Sequence, residues 1–452
     1  MTQPDRSTGP VRSVVVATPE PLAHRRAGPA VRAIRTAETL AAEGHRVTLA
    51  STAAAGPDIE VDGCTVVDRL AVPTDAEVYV VTGRAMLDLA WLDDSTAAVG
   101  VDLYDPFQLE ALHRGGDDEI RRIDLVEGAH RTLAAQFTRG DRFFCANEPQ
   151  RSLWLGYLGA FGRLNPATHD ADPSAAGLIE LAPFGVDGDE PTTGPSPLRA
   201  HPGIGPDDPI VVWAGGLHDW LDPETLVRAA EVAARRRSDL RVVFVAGPPP
   251  AGDPTGAPER ARREADRLGL TDRVVFFHPD WIPHDQRGPM LVDAAIGVCT
   301  HRPHLETRFS HRTRFLDHLW AGLPTVSTGG DPLSAQLEAA GAALIVEPGD
   351  PDGVADALVD LLDHDDRRTG MGDAARALGT TLHWPDTLAP IVDWVASAAT
   401  APDRLDPALA HRLGPQAHTS RSAVSRLRLQ WQREGAAGVL DRASRRVRRP
   451  SS

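Results

Sequence analysis

Short apolar runs alternate with stretches whose apolar residues recur every three or four positions, over most of the 452 residues. In the first half the runs Arg12–Ala17, His45–Ser51, Val78–Thr82, Ala97–Val101, Arg142–Ala146 and Leu178–Ala182 have strand length. Between the first two, Pro29–Glu43 places Val31, Ile34, Leu40 and Ala41 on one face. It opens with Gly28-Pro29 and stops before Gly44, which predicts a helix. Further helices are predicted over Glu119–Arg139 and Pro149–Phe161, and the polar stretch Asn165–Ala176 reads as a loop.

The rhythm pauses at Gly188–Pro209, rich in Pro, Gly and Asp, and then restarts. Strands are expected at Ile210–Ala214, Arg241–Ala246, Arg273–Phe277, Ala295–Thr300, Thr325–Ser327 and Leu344–Val346. Helices are expected from Pro223 to Arg237, with Asp222 as N-cap, and over Pro258–Leu268, His311–Ala321, Leu333–Ala340, Asp352–Leu362, Asp365–Leu378 and Thr387–Ala398. The alternation predicts an α/β chain with two tandem Rossmann-like, doubly wound parallel-sheet domains. The expected division is 1–187, a linker over 188–209, a second domain over 210–382, a helix over 383–400 and a tail over 401–452.

Composition narrows the function classes. The formal charge of −16 argues against general nucleic-acid binding, which needs a basic footprint. All 47 basic residues are Arg, so Schiff-base and phosphate-loop lysines are excluded. Cys64, Cys145 and Cys299 are odd in number and far apart, which fits reduced thiols in a cytosol. No secretory leader is expected at the N-terminus and no apolar stretch reaches spanning length, so a cytoplasmic location follows as the expectation. The tail differs: from Arg421 onward nine Arg face only Glu434 and Asp441. Val424, Leu427 and Trp431 recur there at helical spacing. Such a segment suits a disordered tail, a helix docked on the acidic body, or peripheral contact with the anionic inner face of a membrane.

Open α/β sheets bind ligands beyond the carboxyl ends of their strands, so the loops that follow strands carry the candidates. Gly215-Gly216 follows the first strand of the second half and allows close approach of a phosphate, or is only a turn. The densest feature runs from Glu306 to Asp317. Ser310, or a residue beside it such as His311, would cap the next helix, whose amides favour an anion. Arg308, Arg312 and Arg314 add guanidinium charge, and Asp317 would hold ribose hydroxyls. The competing reading is a solvated helix with internal Arg–Asp pairs. Trp281 would stack a nucleobase or simply pack. In the first half Gly28 lies in the Arg25–Pro29 loop, and Asp102 orients a hydroxyl or caps a helix. Asp187-Gly188-Asp189 resembles an Asp-x-Asp metal pattern but reads as turn chemistry, and no metal cluster is expected.

At these residues, and over about 12–398, the chain resembles the retaining family-4 glycosyltransferases of the GT-B fold. The likeness rests on Glu43-Gly44-His45-Arg46-Val47, on Pro183-Phe184-Gly185-Val186-Asp187, and on Ala214-Gly215-Gly216 followed by Ala246-Gly247. Asp317-His318-Leu319-Trp320-Ala321-Gly322-Leu323-Pro324 and the segment after Trp384 continue it. The resemblance implies a facing cleft, a helix that crosses back to the first domain, and metal-independent transfer of a sugar from a nucleoside diphosphate sugar (UDP or GDP) to an acceptor hydroxyl with retention. It implies no further cofactor. Catalytic weight would fall on Glu306, Asp102 and Arg312. The donor would meet Gly28, Gly215, Gly216, Trp281, Arg308, Ser310, His311, Arg314 and Asp317. The chain departs from the family at the diglycine, where Leu217-His218-Asp219-Trp220 replaces the usual Arg and Lys. Phe309, separated from the Asp317 position by seven residues, stands where the first family glutamate belongs. Two other readings fit the same fold: a catalytically silent protein that binds a sugar nucleotide or supports a partner enzyme, and a sugar-nucleotide epimerase.

Overall fold

The structure, a computed structural model, describes residues 9–116, 118–245, 247 and 256–405. The first sheet holds β1 (Ser13–Thr18), β2 (Arg46–Ser51), β3 (Cys64–Asp68), β4 (Val78–Thr82), β5 (Ala98–Asp102), β6 (Arg142–Cys145) and β7 (Ile179–Leu181). They pair in the order β3-β2-β1-β4-β5-β6-β7, every pair parallel. β4 and β5 are buried at every position, as expected for strands covered on both faces. The second sheet holds β8 (Ile210–Ala214), β9 (Arg241–Val245), β10 (Val275–His278), β11 (Ile296–Cys299), β12 (Thr325–Thr328) and β13 (Ala343–Val346). Its order is β10-β9-β8-β11-β12-β13, again all parallel. The α/β, two-sheet expectation therefore holds. Both sheets reverse their strand order next to the first strand, which opens a crevice at each carboxyl edge.

Two local expectations fail. β3 is an additional strand, and the presumed loop after Asn165 contains a short helix, Pro166–Ala171. Asn165 and Thr168 form a reciprocal capping box at its start, with proline in the first turn. The segment before β8 is not free either. Leu198 in the Pro197–Ala200 turn is buried with Ile204, Ile210 and Phe276, so this stretch packs on the second sheet.

The chain crosses back after the second sheet. Val186 bridges His383, and the helices Trp384–Thr387 and Ala389–Ser397 follow. Leu388, Ile391 and Trp394 join one apolar cluster with Val14, Val80 and Phe144 of the first sheet. A Cβ at Gly100 on β5 would lie 2.6 Å from the Trp394 ring, so the ring seats directly on the strand backbone. The three cysteines are free thiols. Among the described residues no helix is long and apolar enough to cross a membrane. Ala246 and the basic tail from residue 406 onward lie outside the described residues.

Candidate functional site

The carboxyl edges of the two sheets face each other across a cavity of about 1090 Å³. Two helices begin at its centre. Gly28–Ala42 starts after β1, and Thr313–Ala321 starts after the β11 loop. They meet nearly tip to tip: a Cβ at Gly28 would lie 3.3 Å from Thr313 Oγ1. Neither has a side-chain N-cap, because Ala27 and Arg312 hold the cap positions. Each first turn thus presents amide donors that no capping side chain satisfies, and both dipoles point their positive ends at one place.

The Gly215-Gly216 turn after β8 lines the same place. Gly215 has φ of +109°, in the region that disfavours other residues, and a Cβ on Gly216 would lie 2.7 Å from His218 Nε2. Arg314 fixes this turn: its Nε donates to the Ala214 carbonyl at 2.6 Å and its Nη2 to the Gly216 carbonyl at 2.9 Å. Burial, with Arg114 and Arg314 nearby, pushes the His218 imidazole down to about 3, so it is neutral at pH 7.

Several residues singled out from sequence have other tasks. Arg312 is buried. It pairs with Asp331 at 2.9 Å and donates to Ser327 Oγ, the Thr328 carbonyl and the Gly329 carbonyl. Its charge staples β12 to the cleft wall and is not free for a diphosphate. Arg314 is tied to the diglycine turn and to Cys299 Sγ at 2.9 Å. Arg308 is exposed over the Phe309 ring, away from the cavity. Ser310 does not cap the next helix. Its hydroxyl donates to the Thr307 carbonyl, closing the Leu305–Phe309 helix, and the next helix starts three residues later. Asp102 is neither a free hydroxyl acceptor nor a cap. Arg32, almost wholly buried, grips it twice at 2.6 and 2.9 Å, because a buried carboxylate beside an apolar sheet needs a fixed counter-charge.

All the predicted residues except Arg308 line the cavity: Gly28, Asp102, Gly215, Gly216, Trp281, Glu306, Ser310, His311, Arg312, Arg314 and Asp317. The Trp281 indole donates to the Arg26 carbonyl at 3.2 Å, across the two domains. His311 is held down to about 3 by burial, with Arg32 adding to it, and its Nε2 is buried without a partner. Asp317 pairs with Arg287 at 3.1 Å; burial raises its carboxyl and Arg287 partly offsets that. Glu306 is pushed up to about 8, first by burial and then by the charge of Glu110.

Sequence reasoning missed the roles of three groups, including Asp187, which it read as turn chemistry. Arg26 lines the cavity two residues before the Gly28 helix start; its Nε is buried and unpartnered, and no carboxylate pairs with it among the described residues. The carboxyls of Asp105 and Glu110 hydrogen-bond each other beside Glu306, and both are raised, chiefly by burial. Asp187 joins the domains through Arg35 at 2.9 Å, Arg287 at 2.6 Å and the Trp384 indole at 3.1 Å. Burial would raise its carboxyl, but Arg287 and Arg35 hold it below the usual range. Among the described residues no three His, Cys, Asp or Glu side chains are grouped to hold a metal ion.

Residues 208–364 match the family of glycosyl transferases group 1. The chain is 30% identical over 237 residues to a D-inositol 3-phosphate glycosyltransferase of Streptomyces scabiei, covering 51% of this chain and 50% of that one. It is 28% identical to the Nocardia farcinica enzyme of the same name, covering 61% and 62%. The chain thus spans about half to three fifths of these curated relatives. Two solved structures superpose over most of it. Sucrose-phosphate synthase of Thermosynechococcus elongatus gives a TM-score of 0.61 at 16% identity, covering 86% of this chain and 100% of the other. Anabaena HepE, solved with UDP and glucose, gives 0.62 at 12% identity, covering 85% and 100%. The chain has the GT-B fold, and its second domain matches the model of the glycosyl transferases group 1.

Proposed function

We propose that this chain transfers a sugar from a nucleoside diphosphate sugar to an acceptor hydroxyl, with retention of anomeric configuration and without a divalent metal. The observation that carries the reading is the meeting of two uncapped helix starts, Gly28 and Thr313, beside the unpaired Arg26 guanidinium. A departing diphosphate needs preorganised donors aimed at its developing charge, and this corner supplies them from both domains. Arg26 thereby takes the part expected of Arg308, Arg312 and Arg314. The leaving phosphate itself takes the acceptor's proton, so no protein nucleophile is required. In this reading Glu306 holds sugar hydroxyls and Asp317 holds ribose hydroxyls. The match to glycosyl transferases group 1 supports the reaction class, and the HepE structure with UDP supports UDP as the first donor nucleotide to test. The curated relatives, named for D-inositol 3-phosphate, supply one acceptor to test. The location proposed is the cytoplasm, with the basic tail as a peripheral membrane contact.

Titration of the full chain with UDP, GDP and their sugars in the presence of EDTA tests the reading. Binding of one nucleotide and turnover of its sugar without metal are expected. Absence of any nucleotide binding, or turnover strictly dependent on a divalent ion, would overturn it. Nucleotide binding with neither donor hydrolysis nor transfer would favour the catalytically silent alternative.

A further inference from the structure

One corner of the cavity is lined by carboxyls, in contrast to the diphosphate corner. Glu20 reaches it from the loop after β1, Asp105 from the loop after β5, and Glu110 from the end of the short Phe107–Glu110 helix. Glu306 closes it from the second domain. The cation among them is Arg114, paired with Glu110 at 3.1 Å and stacked over the Trp220 ring at 5.3 Å. The other charged or titratable neighbours add little positive charge. His113 and His304 stack across the domain gap with ring centres 4.3 Å apart, and burial depresses both, as it does His218 and His301. Arg302 pairs with Glu224, and Arg312 with Asp331. Arg84 and Arg131 stand at the exposed rim, the former paired with Asp88.

Glu306 supplies the second observation. Its side chain is 3% exposed, and its Oε2 is buried without a hydrogen-bond partner, the His304 Nδ1 lying 3.7 Å away. A buried acceptor left unfilled is costly, and a ligand donor relieves it. Neutral hydroxyls would fill the acceptor but leave the clustered carboxyls of Asp105, Glu110 and Glu306 without a counter-charge against which they can ionise. An ammonium group offers three N–H donors and one positive charge together, so it answers both deficits.

We propose that the substrate held at the Asp105–Glu110–Glu306 corner carries a protonated amine, an amino saccharide being the chemical class that fits. The inference rests on the sugar-transfer reading of the cleft and specifies one of its substrates. A phosphorylated acceptor would meet these same carboxylates, with Arg114 already engaged by Glu110. The amine can belong to the acceptor or to the donor sugar, and the two are separable by experiment.

Calorimetry on the full chain at pH 7, saturated with UDP, would compare glucosamine, glucose and glucose 6-phosphate. A second arm would compare UDP-glucosamine with UDP-glucose. In one arm the amine is expected to bind about tenfold or more tighter than its hydroxyl counterpart. Repeating the titration in buffers of different ionisation heat is expected to show proton release as the ammonium displaces protons shared by the carboxyls. Asp105→Asn and Glu110→Gln are each expected to remove the preference while the hydroxyl sugar still binds. Two separate variants keep the test sound if one fails to fold. UDP binding with no amine preference in either arm, or tighter binding of glucose 6-phosphate, would overturn this inference alone. Failure of UDP and GDP to bind at all would overturn the sugar-transfer reading instead.

Discussion

Arg312 and Glu306 lie six residues apart on the same cavity wall, yet their environments ask opposite things of them. Arg312 is ion-paired with Asp331, so Arg312→Ala would strand the Asp331 carboxylate in the core. The expected loss is about 3–5 kcal/mol of stability, read as a lower denaturation midpoint before any effect on turnover is assigned. Glu306 is buried and unmatched. With its folded value near 8 and its unfolded value near 4.5, the native state keeps a proton that the unfolded chain releases. Its contribution is therefore complete below pH 4.5 and lost as pH rises through about 8. Glu306→Gln is expected to melt increasingly above the parent as pH climbs from 4.5 to 8. A constant gap across that range would contradict the burial argument. Neither environment was legible in sequence. Arg308, Arg312 and Arg314 crowd one segment, but carbonyls of β8 and β12, remote in the chain, decide which of them is free.

At the scale of elements, the strands and helices were largely legible because buried parallel strands are continuous apolar runs and their helices are amphipathic. The Glu119–Arg139 helix and the strands β4 and β8 match expectation end to end. β3 escaped because it is an edge strand with no fully buried position, leaving no apolar run to read. The helix at Pro166 was recoverable from Asn165, Pro166 and Thr168, a capping signature in plain view. The two uncapped helix starts permit a sharper test. Ala27 has extended backbone at the N-cap of the Gly28–Ala42 helix. Ala27→Asp is expected to stabilise that helix by about 0.5–2 kcal/mol while placing a carboxylate where the diphosphate is proposed to bind. A higher melting temperature with weaker UDP binding is the predicted pair of outcomes. A gain in both would remove the helix starts from the diphosphate assignment.

At the scale of the whole molecule, buried imidazoles in both the cleft and the core set the response to acid. His218, His284, His311 and His318 are each depressed to about 3, chiefly by burial, so the native state excludes their protons. The unfolded chain accepts those protons below about pH 6.5, and stability is expected to fall steadily from there toward pH 3. Thermal melts in low-salt buffers across that range would check the slope. The tail is tested at the same scale. Co-sedimentation with anionic liposomes is expected to retain the full chain and lose a chain ending at Leu405, and equal retention would end the membrane proposal.

The Ala389–Ser397 helix has a further consequence, for synthesis. Trp394 roofs Gly100 on β5, so the first sheet lacks part of its cover until nearly four hundred residues have left the ribosome. Through most of translation the nascent amino-terminal half must wait with an apolar flank bare, dependent on chaperone shelter. A fragment stopping at residue 382 should therefore precipitate, and a peptide supplying 383–400 in trans should restore its solubility.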